Sequence, residues 1–582
     1  MLKLLLGGSG SGKTTLLYQR IRARAEAGEK SILLVPEQFT SSTEGRIHRE
    51  MGDALSGLVE SFSFTSLAEH ILSAEGGSAV QTLSDAGRAV LVRRALEELQ
   101  DNVHYYYRHR RSAAFCQMAT ETIDELKSAG LSGQQLYELA QDCGTDSAKL
   151  SELALIFQGY ETLLAGTGMD PSDRLELAAD RLEAALARGS LPEFLQDRAV
   201  FIDEFDTFNA PKKRLLAALL TALPQVTVAL CDDGAPLVPG DTGLFAGAKQ
   251  MAAQLRQLAR KNGADAAVPE LLRRDLRHKD APGLAAVTEL LETGTCEVPP
   301  AAPEVRLFAA ASREEEARCT AAAIRRLMRQ GVRCGKMAVV CRNIPDYRAA
   351  IRYEFRMADI PLYCDEPTTP EFSAPATAVR ALLALLRGAD MTEHLTILAK
   401  TGLCALTEPQ VCALENYEKS PKGFGENELS DEDAKTLEDA ETARQLLVTA
   451  VDELRSKVRG GSAEQISREL YFCLKKLGAE EQQAALVEAV RTARGIPAAE
   501  EAAREWNVVM QLLNEMAHLL GGQGVTFAEY EDLFSLLLRS SDLGHIPQTL
   551  DAVVLAVVSR EEEGAYGYKI TQEIKQALEL SE

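Results

Sequence analysis

The stretch Met1-Leu-Lys-Leu-Leu-Leu6-Gly7-Gly-Ser-Gly-Ser-Gly12-Lys13-Thr14-Thr15 carries the strongest structural signal in the chain. Its apolar start predicts a buried strand, and a helical pattern follows over residues 15–27. A glycine-rich loop between a strand and a helix directs backbone N–H groups, with the positive end of the helix, at a phosphate. The stretch therefore predicts a nucleotide-binding loop that opens an α/β domain.

Each residue type in this loop has a chemical role in binding ATP and Mg²⁺. Lys13 would reach the β- and γ-phosphates, and the hydroxyl of Thr14 would hold the Mg²⁺. The residues expected to bind the nucleotide are Gly7, Gly8, Ser9, Gly10, Ser11, Gly12, Lys13, Thr14 and Thr15. A loop that keeps this shape without turning nucleotide over is the alternative.

Length and composition limit the class of protein. A chain of 582 residues exceeds what one hydrophobic core serves, so several domains are expected. No apolar run approaches the roughly 20 residues that span a bilayer, and no signal peptide is evident, so we expect a cytoplasmic protein without membrane contact. The eleven cysteines show no C-x-x-C spacing, which predicts reduced thiols rather than a metal site.

The net charge of −23 argues against a generally basic nucleic-acid coat but leaves room for a local basic groove. Two stretches combine basic residues with aromatic ones or with one another, at residues 104–111 and 212–214. Such stretches can follow a nucleic-acid backbone. A solvated helix face explains each of them slightly better.

Apolar patterning divides the chain into alternating and purely helical regions. Buried strands are predicted at residues 31–35, 58–64, 199–206 and 225–232, with a second α/β set at 305–310, 313–329, 337–341, 345–358 and 360–363. This pattern predicts an α/β fold of P-loop NTPase (RecA-like) type with parallel sheets. The expected domains are a first motor-type domain at 1–290 with a helical insertion at 83–191, a second at 300–390, a helical insertion at 390–545 and a tail at 550–582.

The strand predicted at residue 199 ends in Asp203-Glu204. Asp203 would bind the Mg²⁺, directly or through water, and Glu204 would polarise the attacking water. The pair lies far along the chain from Lys13, which indicates a helical domain inserted between the two halves of one nucleotide site.

The order of these parts resembles superfamily-1 helicases of the UvrD/RecB type. Ser63-Phe64-Thr65-Ser66 is similar to the motif with which that group contacts single-stranded DNA, which implies such a role for Phe64, Thr65 and Ser66. Ala338-Val-Val-Cys-Arg342 looks like the opening of the second motor domain, with Arg342 in the place of a nucleotide-contacting arginine.

A closer resemblance is to the B subunit of AddAB-type helicase–nucleases. Val35-Pro36-Glu-Gln38-Phe39-Thr40, Phe201-Ile-Asp-Glu-Phe-Asp-Thr-Phe208 and Ile546-Pro-Gln-Thr-Leu-Asp-Ala-Val553 are similar to signatures of that family. The resemblance implies DNA contacts by Pro36, Gln38, Phe39 and Thr40. It also implies an A-type helicase–nuclease subunit as heterodimer partner, with single-stranded DNA and duplex ends as substrates in end resection and recombinational repair.

Two departures from that family affect what is expected. Its nuclease domain, its iron–sulfur cluster and its last motor motifs are not found, so we expect a truncated subunit without a cluster and with little ATPase activity of its own. Residues 550–560 and 564–574 are similar to the first helices of PadR-type winged-helix repressors. A DNA-binding transcriptional regulator with an ATP-sensing domain is therefore one alternative, and a phosphate-loop kinase or transferase is another.

Overall fold

The computed structural model describes residues 1–76, 82–110, 112–141, 147–297, 299, 301–364, 369–419, 431–522, 524–541, 543 and 551–557. The chain divides into two compact units. The first comprises Met1–Thr82, Asp124–Ser132 and Gly168–Ala310. The second comprises Leu83–Ile123, Gly133–Thr167 and the residues from Ala311 onward.

The described residues form strands in two groups, one per unit. The strands are β1 (Leu2–Gly7), β2 (Ser31–Leu34), β3 (Val59–Phe62), β4 (Ala199–Ile202), β5 (Gln225–Cys231), β6 (Glu270–Leu272), β7 (Ala338–Cys341), β8 (Leu362–Cys364) and β9 (Val553–Val557).

Helices make up most of the remaining structure. They are α1 (Lys13–Glu26), α2 (Thr40–Met51), α3 (Asp53–Ser56), α4 (Phe64–Glu75), α5 (Asp85–Glu98), α6 (Ala113–Ala129), α7 (Gly133–Ala140), α8 (Ser147–Thr167), α9 (Pro171–Ala187), α10 (Ala210–Ala222), α11 (Ala246–Lys261), α12 (Pro282–Thr293), α13 (Arg313–Arg329), α14 (Ile344–Met357), α15 (Ala374–Arg387), α16 (Met391–Lys400), α17 (Glu408–Lys419), α18 (Asp431–Val458), α19 (Ala463–Lys476), α20 (Ala479–Arg494), α21 (Ile496–Leu520) and α22 (Phe527–Ser540).

The first unit is built on a six-stranded parallel sheet with the order β3-β2-β4-β5-β1-β6. Ile32 pairs with Val200, and Leu4 pairs with Val228. The strands predicted from the continuous apolar runs thus share one sheet, as expected. The α/β class and the parallel sheet are confirmed.

The core of the first unit forms because apolar side chains cover both faces of this sheet. Helix α1 buries Leu17, Tyr18 and Ile21 on one side, at the three- and four-residue spacing of a helix face. They pack in one cluster with Leu5 of β1 and Phe201 of β4. Each fully buried side chain of this size contributes about 1.5–3 kcal/mol.

The second unit contains a three-stranded parallel sheet with β9 between β7 and β8. Val339 pairs with Leu555, and Leu362 pairs with Val553. The helix that the PadR resemblance implies at 550–560 is therefore wrong for residues 553–557. Their unbroken apolar run is buried in a sheet, where β-branched residues pack well. Residues 546–550 and 558–582 lie outside the described residues, so those parts of the two tail motifs stay predictions.

The strand expected at residues 305–310 is also absent from the described structure, where this segment is extended without sheet pairing. Leu307 and Phe308 are exposed. The alternating apolar pattern is present, but no neighbouring strand among the described residues offers the segment backbone partners.

Residues 83–191 and 374–538 are helical wherever the structure describes them, apart from short connections. Helices α13 and α14 and strands β7 and β8 follow the second α/β set as expected. The domain limits drawn from the sequence stay a prediction, because the compact units divide the first helical region between them.

Candidate nucleotide and nucleic-acid site

The predicted site residues of the first unit lie at one edge of its sheet. All its paired strands run parallel, so their carboxyl ends meet at the same edge. Ligands of open parallel sheets bind at this edge. The segments that leave it are the glycine-rich loop (residues 7–12) after β1, residues 35–40 after β2, residues 63–66 after β3 and Asp203-Glu204 after β4.

The geometry of the glycine-rich loop depends on its glycines. Gly10 and Gly12 have φ angles of 74° and 86°, a left-handed conformation that side-chain-bearing residues rarely adopt. Helix α1 begins at Lys13 with no side chain capping its N-terminus. Its first N–H groups therefore point along the helix axis towards the loop.

Lys13 holds the loop together. Its Nζ atom donates hydrogen bonds to the carbonyl oxygens of Gly7 and Gly8, both at 2.8 Å. Next to it, Ser11 is buried and its hydroxyl has no hydrogen-bond partner. Thr14 is half-buried and Thr15 is exposed. A buried hydroxyl without a partner is costly, so this loop has unused hydrogen-bonding capacity.

Two neighbouring features that sequence reasoning missed cover this loop. The N–H of Leu276 donates to the carbonyl oxygen of Gly10 at 2.9 Å. The guanidinium of Arg277 lies 3.5 Å from the hydroxyl of Ser9. Strand β6 pairs with β1 and ends at the same edge, which brings residues 273–278 to the loop. The run Arg273-Arg-Asp-Leu-Arg-His278 after an apolar pair was the available signal.

The second feature is Glu292 on α12. Burial raises the pKa of its carboxyl, as does the charge of Asp275, while Lys13 and the backbone N–H of Ser9 lower it. The pKa is raised overall. The carboxylate thus lies within electrostatic reach of the lysine that was predicted to meet phosphate.

Asp203 and Glu204 follow β4, all four residues of which are buried. Asp203 is itself buried, and its N–H donates to the carbonyl oxygen of Leu34 at 3.1 Å. Glu204 has a φ of 68° although it is not glycine. A left-handed residue of this type stores about 1–3 kcal/mol of strain and is typical of functional sites.

Strand β5 lies between β4 and β1. Asp203 and the glycine-rich loop are therefore separated by two strand spacings, about 10 Å from strand to strand.

An aromatic cluster joins the segments after β3 and β4. The ring of Phe64 meets those of Phe205 and Phe208 edge to face, with centroids 5.3 and 5.8 Å apart. The Nζ atom of Lys212 lies 5.8 and 5.6 Å from the ring centres of Phe64 and Phe205. Burial lowers the pKa of this lysine, against the opposing charge of Glu37. Lys212 is thus part of a packed cluster rather than of a solvated basic face.

The residues predicted to contact DNA differ in accessibility. Pro36, Phe39 and Phe64 are buried, so their side chains do not present a stacking surface in this conformation. Thr65 is exposed at the start of α4, while Thr40 and Ser66 are half-buried.

Local hydrogen bonds fix these segments. The Ser63 hydroxyl accepts from the N–H of Ser66, and the Ser66 hydroxyl accepts from the N–H of Ser63, at 3.0 and 2.8 Å. This reciprocal cap begins α4. Gln38 lies in the short 3-10 turn Glu37–Phe39, which precedes α2.

The remaining predicted residues belong to the second unit. Arg342 follows β7 and is exposed. In the basic and aromatic stretch 104–111, of which Arg111 lies outside the described residues, the N–H groups of His104, Tyr105 and Tyr106 donate to the carboxylate of Glu152. This stretch is held by a structural contact within its unit.

No helix in the described ranges is long and apolar enough to cross a lipid bilayer.

Comparison with known proteins gives first the class and then individual relatives. Residues 4–288 match the family described as ADDB, N-terminal. The B subunit of the ATP-dependent helicase/deoxyribonuclease from Moorella thermoacetica is 30% identical over 97% of this chain and 51% of its own length. The B subunits of the same name from Desulforudis audaxviator and Heliobacterium modesticaldum are each 28% identical over 96% of this chain.

The resemblance read from the motifs is confirmed: this chain is a relative of the B subunits of AddAB-type helicase–nucleases. It spans about half the length of the curated relatives it matches.

Proposed function

We propose that this chain is the helicase-like part of a helicase–nuclease B subunit, which binds ATP with Mg²⁺ and single-stranded DNA. The observation that carries the proposal is the shared edge of the parallel sheet, where the G-x-x-x-x-G-K-T loop and Asp203-Glu204 both emerge. One strand separates their two strands. This is the arrangement expected of a RecA-like P-loop NTPase, which is the fold we propose.

The residues of the loop fit a nucleotide triphosphate chemically. The N–H groups at the start of α1 and the hydroxyl of Ser11 offer donors, and Lys13 offers a positive charge once it leaves the carbonyl oxygens of Gly7 and Gly8. Thr14 and Asp203 would hold Mg²⁺, which would neutralise phosphate charge there. Glu204 would orient and polarise a water molecule for attack.

Single-stranded DNA would run along the same edge of the sheet. Thr65, Thr40 and Ser66 are the predicted contacts that solvent reaches. Since the chain carries a net charge of −23, such binding must depend on a local field and be strongly salt-dependent.

The partner and the process follow from the relatives. Their name describes a subunit of an ATP-dependent helicase/deoxyribonuclease. We therefore propose a heterodimer with an A-type helicase–nuclease subunit that acts on duplex ends in break resection and recombinational repair. The regulator alternative is disfavoured because residues 553–557 form a sheet strand instead of the expected helix.

Calorimetric titration with ATP and Mg²⁺ tests the nucleotide site. Lys13→Ala should abolish binding because it removes the charge that faces the β- and γ-phosphates. Lys3→Ala is the matched control, since this lysine of β1 pairs with Gln225 at 2.9 Å, away from the loop. Equal affinity of wild type and Lys13→Ala would overturn the assignment.

A further inference from the structure

The front of the glycine-rich loop is covered by a carboxylate of the same unit. A Cβ atom placed on Gly8 would lie 2.7 Å from Oε1 of Glu292, so this oxygen lies directly against the loop backbone. The backbone N–H of Ser9 also interacts with the carboxylate. A backbone N–H in a loop of this type is a donor that a phosphate oxygen would use.

The opposite end of the loop is covered as well. A Cβ atom on Gly12 would lie 3.1 Å from Cδ1 of Leu276, and one on Gly10 would lie 2.8 Å from Oδ1 of Asp275. Together with Glu292, these side chains leave no space against the loop for a chain of phosphates. The amine of Lys13 is meanwhile bonded to two loop carbonyl oxygens.

The helix that carries Glu292 is lightly anchored. Within α12, which the structure describes completely, Gly283 is the sole buried residue. The apolar side chains of Leu284, Val287, Leu290 and Leu291 are exposed. A helix with so little buried apolar surface opens at low free-energy cost.

We propose that Glu292 is an internal substitute for phosphate, which occupies the glycine-rich loop and must leave before a nucleotide binds. This inference rests on the proposed nucleotide site and adds a residue that sets its affinity. Two anions cannot share the same donors, because like charges at this distance repel each other. Nucleotide and the carboxylate of Glu292 therefore compete.

The size of the effect follows from the fraction of time that the carboxylate covers the loop. If the loop is open about one-tenth of the time, the apparent affinity for nucleotide falls about tenfold below its intrinsic value. Removing the charge of Glu292 restores the difference. The charges that face Glu292 are Asp275, Lys13 and Asp233, and they stay in place in such a variant.

The test compares the affinity for a fluorescent ATP analogue, at fixed Mg²⁺ and neutral pH, of the full chain and its variants. Glu292→Gln and Glu292→Ala should bind about tenfold or more tightly than wild type. Glu289→Gln is the matched control, because Glu289 lies one turn earlier on α12 and is exposed. It should bind like wild type. Adding Lys13→Ala to Glu292→Gln should abolish binding, and circular dichroism checks that each variant is folded.

The possible failures are distinguishable. If wild type binds, Lys13→Ala does not, and Glu292→Gln gains nothing, then nucleotide binding stands and the role of Glu292 is overturned. If neither wild type nor the Glu292 variants bind, the proposed nucleotide site fails and this inference fails with it. A gain in Glu289→Gln equal to that in Glu292→Gln would also overturn the inference, since it would reflect general charge.

Discussion

The Nζ atom of Lys127 lies 2.6 Å from Oδ2 of Asp170, and the two side chains are only 8% and 1% exposed. Asp173 accepts from the same amine at 3.0 Å. Lys127→Ala would leave the Asp170 carboxylate buried without its cation. We expect the free energy of unfolding of the first unit to fall by about 3–5 kcal/mol, measured by urea denaturation.

Lys476→Ala is the control for this prediction. Its ion pair with Glu453 is also 2.6 Å long, but both side chains are about half exposed. An exposed pair contributes about 0–1 kcal/mol. Equal losses in the two variants would show that burial does not set the strength of the Lys127 pair.

The same ion pair makes a prediction at alkaline pH. Burial alone would lower the pKa of Lys127, but Asp170 and Asp173 outweigh it and the pKa is raised. The pair therefore stabilises the fold fully below the unfolded lysine pKa of about 10.4. That contribution is lost as the pH rises through the folded pKa. Wild type should lose more stability above pH 10 than Lys127→Met, and parallel pH curves for the two proteins would contradict this.

The strained backbone of Glu204 predicts an unusual order of stability. With a φ of 68°, the position suits glycine. Glu204→Gly should therefore be about 1 kcal/mol more stable than Glu204→Ala. At Asp206, whose φ is not positive, the order should reverse because glycine costs more chain entropy there. Thermal unfolding of the four variants measures both differences. The same order at both positions would exclude strain at Glu204.

DNA binding can be tested at the exposed start of α4. Thr65→Glu should weaken binding to labelled single-stranded DNA about fivefold or more at low salt, since like charges repel by about 1 kcal/mol at 4 Å in water. Ser73→Glu places the same charge on the same helix, two turns further from the sheet edge, and should have little effect. Fluorescence anisotropy in the presence of the partner subunit gives both affinities.

Salt provides the second readout of that experiment. The logarithm of the affinity should fall with the logarithm of salt by about 0.7 for each phosphate contacted. Binding that ignores salt, or no binding at low salt with the partner present, would remove DNA from the proposed function.

Thiol reactivity should separate the described cysteines of the second unit. Burial raises the pKa of Cys404 and of Cys473 to about 12. Only the thiolate reacts, so both should resist iodoacetamide at pH 8 in the folded protein. Exposed Cys412 should be labelled at once. Site-resolved mass spectrometry follows the three sites, with labelling in urea as the control. Equal labelling of Cys473 and Cys412 in the native protein would contradict the burial of the former.

Sequence reasoning succeeded where short-range pattern decides structure. The apolar runs of β1, β2, β4 and β5 and the glycine-rich loop are local signals, and a parallel sheet follows from their alternation with helices. It failed where the outcome depends on distant residues. Val305 and Leu307 alternate like a strand but find no sheet partner in the described structure, whereas the apolar run at β9 does.

The candidate site shows the same limit. Asp203 and Lys13 were assigned from motifs, but nothing near Glu292 in the sequence marks its position against Gly8. That contact depends on β6 pairing beside β1 and on the packing of α12 behind it. Pairings across most of a domain leave no periodic trace in the sequence.

The position of β9 in its sheet has a consequence for biosynthesis. Strands β7 and β8 have no direct pairing in the described sheet, because β9 lies between them and is made only after all of α15–α22. At 5–20 residues per second, a ribosome needs on the order of ten seconds or more to reach it. During that time the facing edges of β7 and β8 stay open to strand addition by other chains. The nascent chain therefore depends on its own helices, or on a chaperone, to shield these edges until translation reaches Val553.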